Sequence, residues 1–263
     1  MNILFVADVF GRPGRSIVKK RIKGLKAEMN IDICIANCEN AAAGKGITEK
    51  TAAELFDSGI HILTGGNHLW DRKESFDYLA VENRILKPAN YPPQSIGNCF
   101  FYKTTESGHK LAILCLTGQS YMNFGDSPFT VLDQLLPILK KETNCIFVDF
   151  HAESTAEKRA FGYYFDGKVS AVIGTHTHIQ TADEEILPKG TAYITDAGMT
   201  GPHNSVIGIV KEIACRRFVT GMPSKFEVAE NGLELNGVVV KVNDNSGKAT
   251  SIERIKEKIN NIY

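Results

Sequence analysis

The sequence predicts an α/β domain in which two sheets pack together and helices cover their outer faces. Three observations carry this. Short apolar runs alternate with amphipathic segments over the first half of the chain. A hairpin-like pair of runs breaks that rhythm near residue 98, and strand-like runs resume through the last third. Strands that alternate with helices require a sheet with helices packed outside it.

In chain order, residues 2–7 form a compact apolar run that stops at Asp8, and the turn Gly11-Arg12-Pro13-Gly14 leads into a helix marked by Val18, Ile22, Leu25 and Met29. Residues 31–36 are a second strand, ending at Asn37-Cys38-Glu39-Asn40. After the loop Ala43-Gly44-Lys45-Gly46, Thr48 and Glu49 open a helix that runs to about Ser58 and is stopped by Gly59. Residues 60–64 are a third strand, ending at Gly65-Gly66-Asn67-His68. Residues 99–103 and 110–116 flank Glu106-Ser107-Gly108-His109 and read as an antiparallel hairpin. Leu132, Leu135, Leu136 and Leu139 mark a further helix. Residues 144–149 lead to His151, and residues 169–173 lead to His176 and His178. A strand at 192–195, a helix at 210–219 and strands at 233–242 and 249–255 complete the chain. No repeat or polar linker divides it, so residues 1–263 are expected to form one domain.

Composition narrows the function. Hydrophobic residues make up 43% and charged residues 23%, as in globular chains rather than disordered ones. Thirty basic residues balance thirty acidic ones, so no global field is available to hold a polyanion or an acidic membrane. Extended nucleic-acid binding is therefore not expected. The cluster Lys19, Lys20, Arg21, Lys23 and Lys26 is interleaved with apolar residues at helical spacing and reads as a solvated helix face. Six cysteines without CxxC pairs, several inside apolar runs, read as small buried hydrophobes. The first residues enter a strand directly, and no run of about 18 apolar residues occurs, so a reducing cytoplasm is the expected setting.

The informative feature is where metal-competent side chains fall. Asp8, Glu39 with Asn40, Asn67 with His68, His151, and His176 with His178 each follow an apolar strand within a few residues. In sheets flanked by helices, ligands gather beyond the strand ends. Taken singly, each has a plainer role: Asp8 as a helix cap, Glu39, Asn40 and Asn67 as turn residues, His151 as a core histidine. Together they point to one site, because independent turns would otherwise have to acquire oxygen and nitrogen donors by accident.

These residues resemble the calcineurin-type metallophosphoesterases. The segments from Ala7 to Gly14, Cys38-Glu39-Asn40, Gly66-Asn67-His68-Leu69-Trp70-Asp71, Asp149-Phe150-His151-Ala152-Glu153, the run from Gly174 to Asp183 and the run from Tyr193 to Pro202 are similar to the bacterial YmdB-type branch. The resemblance spans the chain from its first strand to about residue 210. It implies a four-layer αββα sandwich of two mixed sheets. It also implies a dinuclear centre: one ion held by Asp8, Asn40 and His178, the other by Asn67, His151 and His176, with Glu39 bridging. Most of the superfamily opens with Asp-x-His, whereas here the third position is Phe10, and the branch uses the Asn beside the bridging Glu instead.

The implied activity is hydrolysis of small phosphodiesters, 2′,3′-cyclic nucleotides first among them, with a hydroxide shared by the two ions as nucleophile and His68 as general acid. A shell of carboxylate, amide and imidazole without thiolate suits iron or manganese, in divalent or mixed-valence pairs. Homo-oligomers fit the family, and no interface is legible. Two rival readings are a regulatory protein that binds a nucleotide or RNA at the metal site with little turnover, and an amidohydrolase. The position of the His-x-His pair, two-thirds along the chain, argues against the second.

Overall fold

The computed structural model describes residues 1–122 and 124–260. The strands are β1 (Asn2–Val6), β2 (Asp8–Val9), β3 (Ile33–Asn37), β4 (Ile62–Thr64), β5 (Ile85–Leu86), β6 (Phe100–Thr104), β7 (Lys110–Thr117), β8 (Ile146–His151), β9 (Ala171–Thr175), β10 (Glu185–Ile186), β11 (Ala192–Ile194), β12 (Met199–Pro202), β13 (Leu233–Val242) and β14 (Ala249–Lys258). The helices are α1 (Gly11–Glu28), α2 (Glu49–Asp57), α3 (Phe76–Val81), α4 (Pro128–Leu139), α5 (Thr155–Tyr164) and α6 (Lys211–Thr220).

Two mixed sheets result. The first is eight-stranded in the order β2-β12-β13-β1-β3-β4-β5, with β14 paired to β13. The second is six-stranded in the order β10-β11-β9-β8-β7-β6. Strands β1, β3, β4 and β5 run parallel, as do β7, β8, β9 and β11. The predicted hairpin forms as β6 and β7, with Phe100 opposite Leu114.

Alternation along the strands builds the layers, because successive side chains point to opposite faces. Leu4 and Val6 of β1 pack with Ile17, Val18, Ile22 and Leu25 of α1. Ile3 and Phe5 face the other way and meet Ile113, Phe147 and Ile173 of the second sheet. Phe5 and Phe147 touch across this seam with ring centroids 5.5 Å apart. On the far side, Leu114, Val148 and Phe150 pack against Leu132 and Leu136 of α4 and Phe161 of α5. The order is helix, sheet, sheet, helix.

Three features change or extend the sequence reading. The Gly11–Gly14 segment is the first turn of α1 rather than a turn before it. Pro13 is tolerated there because the first helical N–H groups have no partner within the helix. Gly14 is needed because a Cβ would lie 2.4 Å from the Thr200 carbonyl of β12. Helix α5 is additional; its cap is Ser154, whose hydroxyl accepts from the Glu157 amide. Strand β13, late in the chain, lies beside β1 in the middle of the first sheet. The basic face of α1 is solvated as expected, with Lys19, Lys20 and Lys23 exposed. Among the described residues, no helix is long and apolar enough to cross a membrane.

Candidate functional site

All the side chains singled out in the sequence meet beyond the carboxyl ends of β1, β3, β4, β8 and β9, at the seam between the sheets. The first sheet supplies Asp8, Glu39, Asn40, Asn67 and His68, and the second supplies His151, His176 and His178. Glu39 lies at the centre. Its Oε1 is 3.1 Å from His151 Nε2 and accepts from Asn40 Nδ2 at 3.1 Å, while its Oε2 accepts the His68 backbone N–H at 3.0 Å. Gly66 makes this approach possible, since a Cβ there would lie 2.2 Å from Glu39 Oε2 and 2.6 Å from the His151 ring.

Two groups of donors share Glu39. In one, His178 Nε2 is 3.3 Å from Asp8 Oδ2 and 3.1 Å from Asn40 Nδ2. In the other, His151 Nε2 is 3.2 Å from Asn67 Oδ1 and 3.0 Å from His176 Nδ1. One ligand atom each from Glu39, His151 and His176 lies within 4.8 Å of the others. Asp8 gives the clearest sign of a cation. Both its carboxylate oxygens are buried, and among the described residues neither has a hydrogen-bond donor of acceptable geometry. A buried carboxylate in that position is costly unless a positive charge compensates it.

The second nitrogen of each imidazole is committed elsewhere, which fixes where its lone pair points. His178 Nδ1–H donates to the Ile207 carbonyl at 3.1 Å. His176 Nε2 faces Glu153 Oε2 at 3.2 Å, leaving Nδ1 toward the centre. For His151 the partner is Thr175. The Thr175 hydroxyl donates to Asp149 Oδ1 at 2.6 Å, so in its 2.9 Å contact with His151 Nδ1 the ring must be the donor. Asp149 is fully buried and also accepts from Asn37 and Thr64. It therefore orients His151 through a hydroxyl and not by direct contact.

The electrostatics follow from burial and crowding. Burial opposes the charged form of both Glu39 and His151, but their mutual attraction prevails. The Glu39 carboxyl is held well below the usual range and the His151 imidazole is raised to about 9. Burial, reinforced by neighbouring His151, pushes His176 down to about 3. Burial lifts Asp149 to about 6 against the pull of His151 and its three donors.

His68 stands apart from the donor groups. Its Nδ1 pairs with Asp71 Oδ2 at 2.9 Å, its ring lines the central cavity of about 380 Å³, and among the described residues nothing meets its Nε2. A buried ion pair supports the loop that carries the paired histidines. Lys158 Nζ of α5 donates to Asp196 Oδ2 at 2.8 Å and to the Thr175 carbonyl at 2.7 Å, and Asp196 accepts from the Thr177 amide at 3.1 Å. His176 and His178 both have positive φ, 99° and 65°, so this loop needs such bracing.

Comparison with known proteins gives the family. The model of the YmdB-like protein family matches residues 4–255. The chain belongs to the YmdB-like family. It is 48% identical over 255 residues to a 2′,3′-cyclic-nucleotide 2′-phosphodiesterase of Bacillus subtilis (strain 168), covering 97% of this chain and 96% of that protein. Two crystal structures superpose with a TM-score of 0.92. One, a protein from Thermus thermophilus, is 36% identical and covers 98% of this chain and 99% of its own; the other, a phosphatase of Mycoplasma pneumoniae, is 37% identical and covers 98% and 93%.

Within this YmdB-like chain, Phe10 is buried with its ring edge-on to His178 at 5.5 Å between centroids. Asn40, by contrast, reaches His178 directly. Sequence reasoning missed Asp71, Glu153, Thr175, Lys158 and Asp196. Asp71 follows His68 by three residues and Glu153 follows His151 by two, but a nearby acid is a weak signal until the fold closes the contact.

Proposed function

We propose that this chain is a dinuclear metal-dependent phosphodiesterase that opens small cyclic phosphodiesters, chiefly 2′,3′-cyclic nucleotides, with release of the 2′-oxygen. The observation that carries the reading is the pairing of two donor groups around a shared Glu39 with a separate His68–Asp71 pair on the wall of the same cavity. Asp8, Asn40 and His178 would hold one ion, Asn67, His151 and His176 the other, and Glu39 both. The orphaned Asp8 oxygens and the imidazole lone pairs turned inward fit this set. Bound ions supply Lewis acidity and a water ionised near neutral pH.

The chain's own residues do the rest. Asp71 accepts from Nδ1 and fixes the His68 ring, so a proton carried on Nε2 points into the cavity where the 2′-oxygen departs. Asp149, through Thr175, holds the His151 Nδ1–H, so the proton that Glu39 attracts to Nε2 is the one a bound cation would displace. Oxygen and imidazole donors without thiolate favour iron or manganese. A reducing, cytoplasmic setting belongs to the same reading and is supported by the buried thiols Cys34, Cys38, Cys115 and Cys145. The Bacillus relative, named as a 2′,3′-cyclic-nucleotide 2′-phosphodiesterase, supports the substrate class.

The test is turnover of the metal-loaded protein on a panel of phosphomonoesters, linear diesters and cyclic nucleotides, with the product resolved by chromatography. Many turnovers of the 2′,3′-cyclic ester to the 3′-phosphate are expected. Release of no more than one equivalent per chain would favour a regulatory binder, and preference for monoesters would refute the diester assignment.

A further inference from the structure

We infer that Phe226 forms the nucleobase subsite, with Ile209 beside it and Lys45 on the opposite wall. This rests on the phosphodiesterase reading above. The central cavity does not end at His68. It shares Gly44, Lys45, Ile209 and Phe226 with an adjoining cleft of about 500 Å³, whose other walls include Trp70 and Asp71, the partner of His68. The two cavities together fall in the range of nucleotide-sized sites.

Substrate chemistry says which way the base must extend. The leaving 2′-oxygen is bonded to C2′, and the adjacent C1′ carries the base, so the base lies just beyond the group that protonates the leaving oxygen. On this side of His68 the cleft presents Phe226, a large apolar ring that is 42% exposed. The Arg217 guanidinium of α6 sits over the ring 4.8 Å from its centroid and holds it in place.

Backbone pairing fixes that wall. The Val210 amide donates to the Glu227 carbonyl and the Ala229 amide to the Gly208 carbonyl, both at 2.9 Å, so the segments around Ile209 and Val228 run side by side. The same stretch offers the Ile207 carbonyl to His178, which ties the subsite to the candidate metal centre. Across the cleft, Arg72 clamps the loop bearing Lys45 by donating to the carbonyls of Ala42 and Lys45. Gly44 keeps the floor open: at φ +89°, a Cβ would meet the Phe10 ring at 3.1 Å and Val228 at 3.3 Å.

A stacked base needs an aromatic face and little else, so the subsite favours nucleotides over base-free cyclic esters and discriminates weakly among bases. The experiment compares kcat/KM for 2′,3′-cyclic AMP with that for methyl riboside 2′,3′-cyclic phosphate, in metal-loaded wild type, Phe226→Ala, Phe226→Trp and Tyr91→Ala. The expected result is that the ratio of the two falls about 5- to 100-fold in Phe226→Ala, mainly through KM, and is restored in Phe226→Trp. An unchanged ratio in Phe226→Ala overturns the assignment. A fall confined to Tyr91→Ala also overturns it and places the base in the neighbouring cleft lined by Tyr91, Phe76 and Pro92. Wild type that turns over both esters equally refutes the subsite alone, whereas wild type inert on both refutes the phosphodiesterase reading with it.

Discussion

Thr175 offers the most direct test of how the site is held together. Thr175→Val keeps the shape and β-branching of the side chain but removes one hydroxyl. Two buried contacts go with it: the 2.6 Å bond donated to Asp149 and the 2.9 Å bond accepted from His151. Asp149 retains Asn37 and Thr64 as donors, so it is weakened rather than orphaned. A bond to a charged group contributes roughly 1.5–3 kcal/mol, and the unpaired ring N–H costs about 1–3 kcal/mol. The unfolding free energy should therefore fall by about 3–5 kcal/mol. Metal affinity at the His151 group should drop about 10–100-fold, because the ring loses the contact that sets its tautomer. Denaturant unfolding and competition with a chromophoric chelator measure the two quantities, and Thr175→Ser should restore both. Wild-type affinity in the valine variant would show that His151 needs no such support.

Four further outcomes are expected. His68→Ala should retain both ions and slow the cyclic nucleotide by about 10²–10⁴-fold, with a smaller loss on a nitrophenyl diester whose leaving group departs without a proton; equal losses, or loss of an ion, would remove the general-acid role. Asn40→Ala should lower occupancy of the ion assigned to Asp8 and His178 while sparing the other, as read by anomalous scattering, since Phe10 cannot substitute. Lys158→Met leaves buried Asp196 without its cation and should destabilise by about 3–5 kcal/mol in denaturant unfolding. His61 is partly buried beside Lys26, and burial first, then that charge, lowers its pKa to about 4. From pH 6.5 down toward 4 the unfolded chain takes up a proton that the folded chain refuses, so stability is lost as pH falls through this window. The loss is about 1–2 kcal/mol after allowance for solvent screening, and this slope should vanish in His61→Asn.

Much of this architecture was legible because strand and helix periodicities differ and because metal-competent residues directly follow apolar strands. The helix after Thr48, the hairpin after residue 98 and the long strand at 233–242 follow from those signals. The central position of β13 does not, since pairing with β1 joins residues more than two hundred positions apart and leaves no local trace. Strands of two residues, such as β2 and β5, are too short for any alternation to show. Helix α5 carried a readable cap, Ser154 with Glu157, but its buried face shows in only a few large apolar residues, such as Phe161. The donor residues were visible as types, whereas Thr175, Asp71 and Lys158 acquire meaning only from distances.

One property of the seam bears on how the ions are chosen. On the proposed assignment, every oxygen donor comes from the first sheet, within the first 67 residues, and every imidazole comes from the second, between residues 151 and 178. Through residue 67 the proposed donors are carboxylate and amide oxygens alone, a set that suits magnesium or calcium as well as any transition ion. On that assignment, a preference for iron or manganese would arise only when the second half has been synthesised and its sheet docks. Selectivity would then be a late event in the life of each molecule, set by the joining of the two layers. An ion that binds only the docked arrangement also tightens the docking, by mass action.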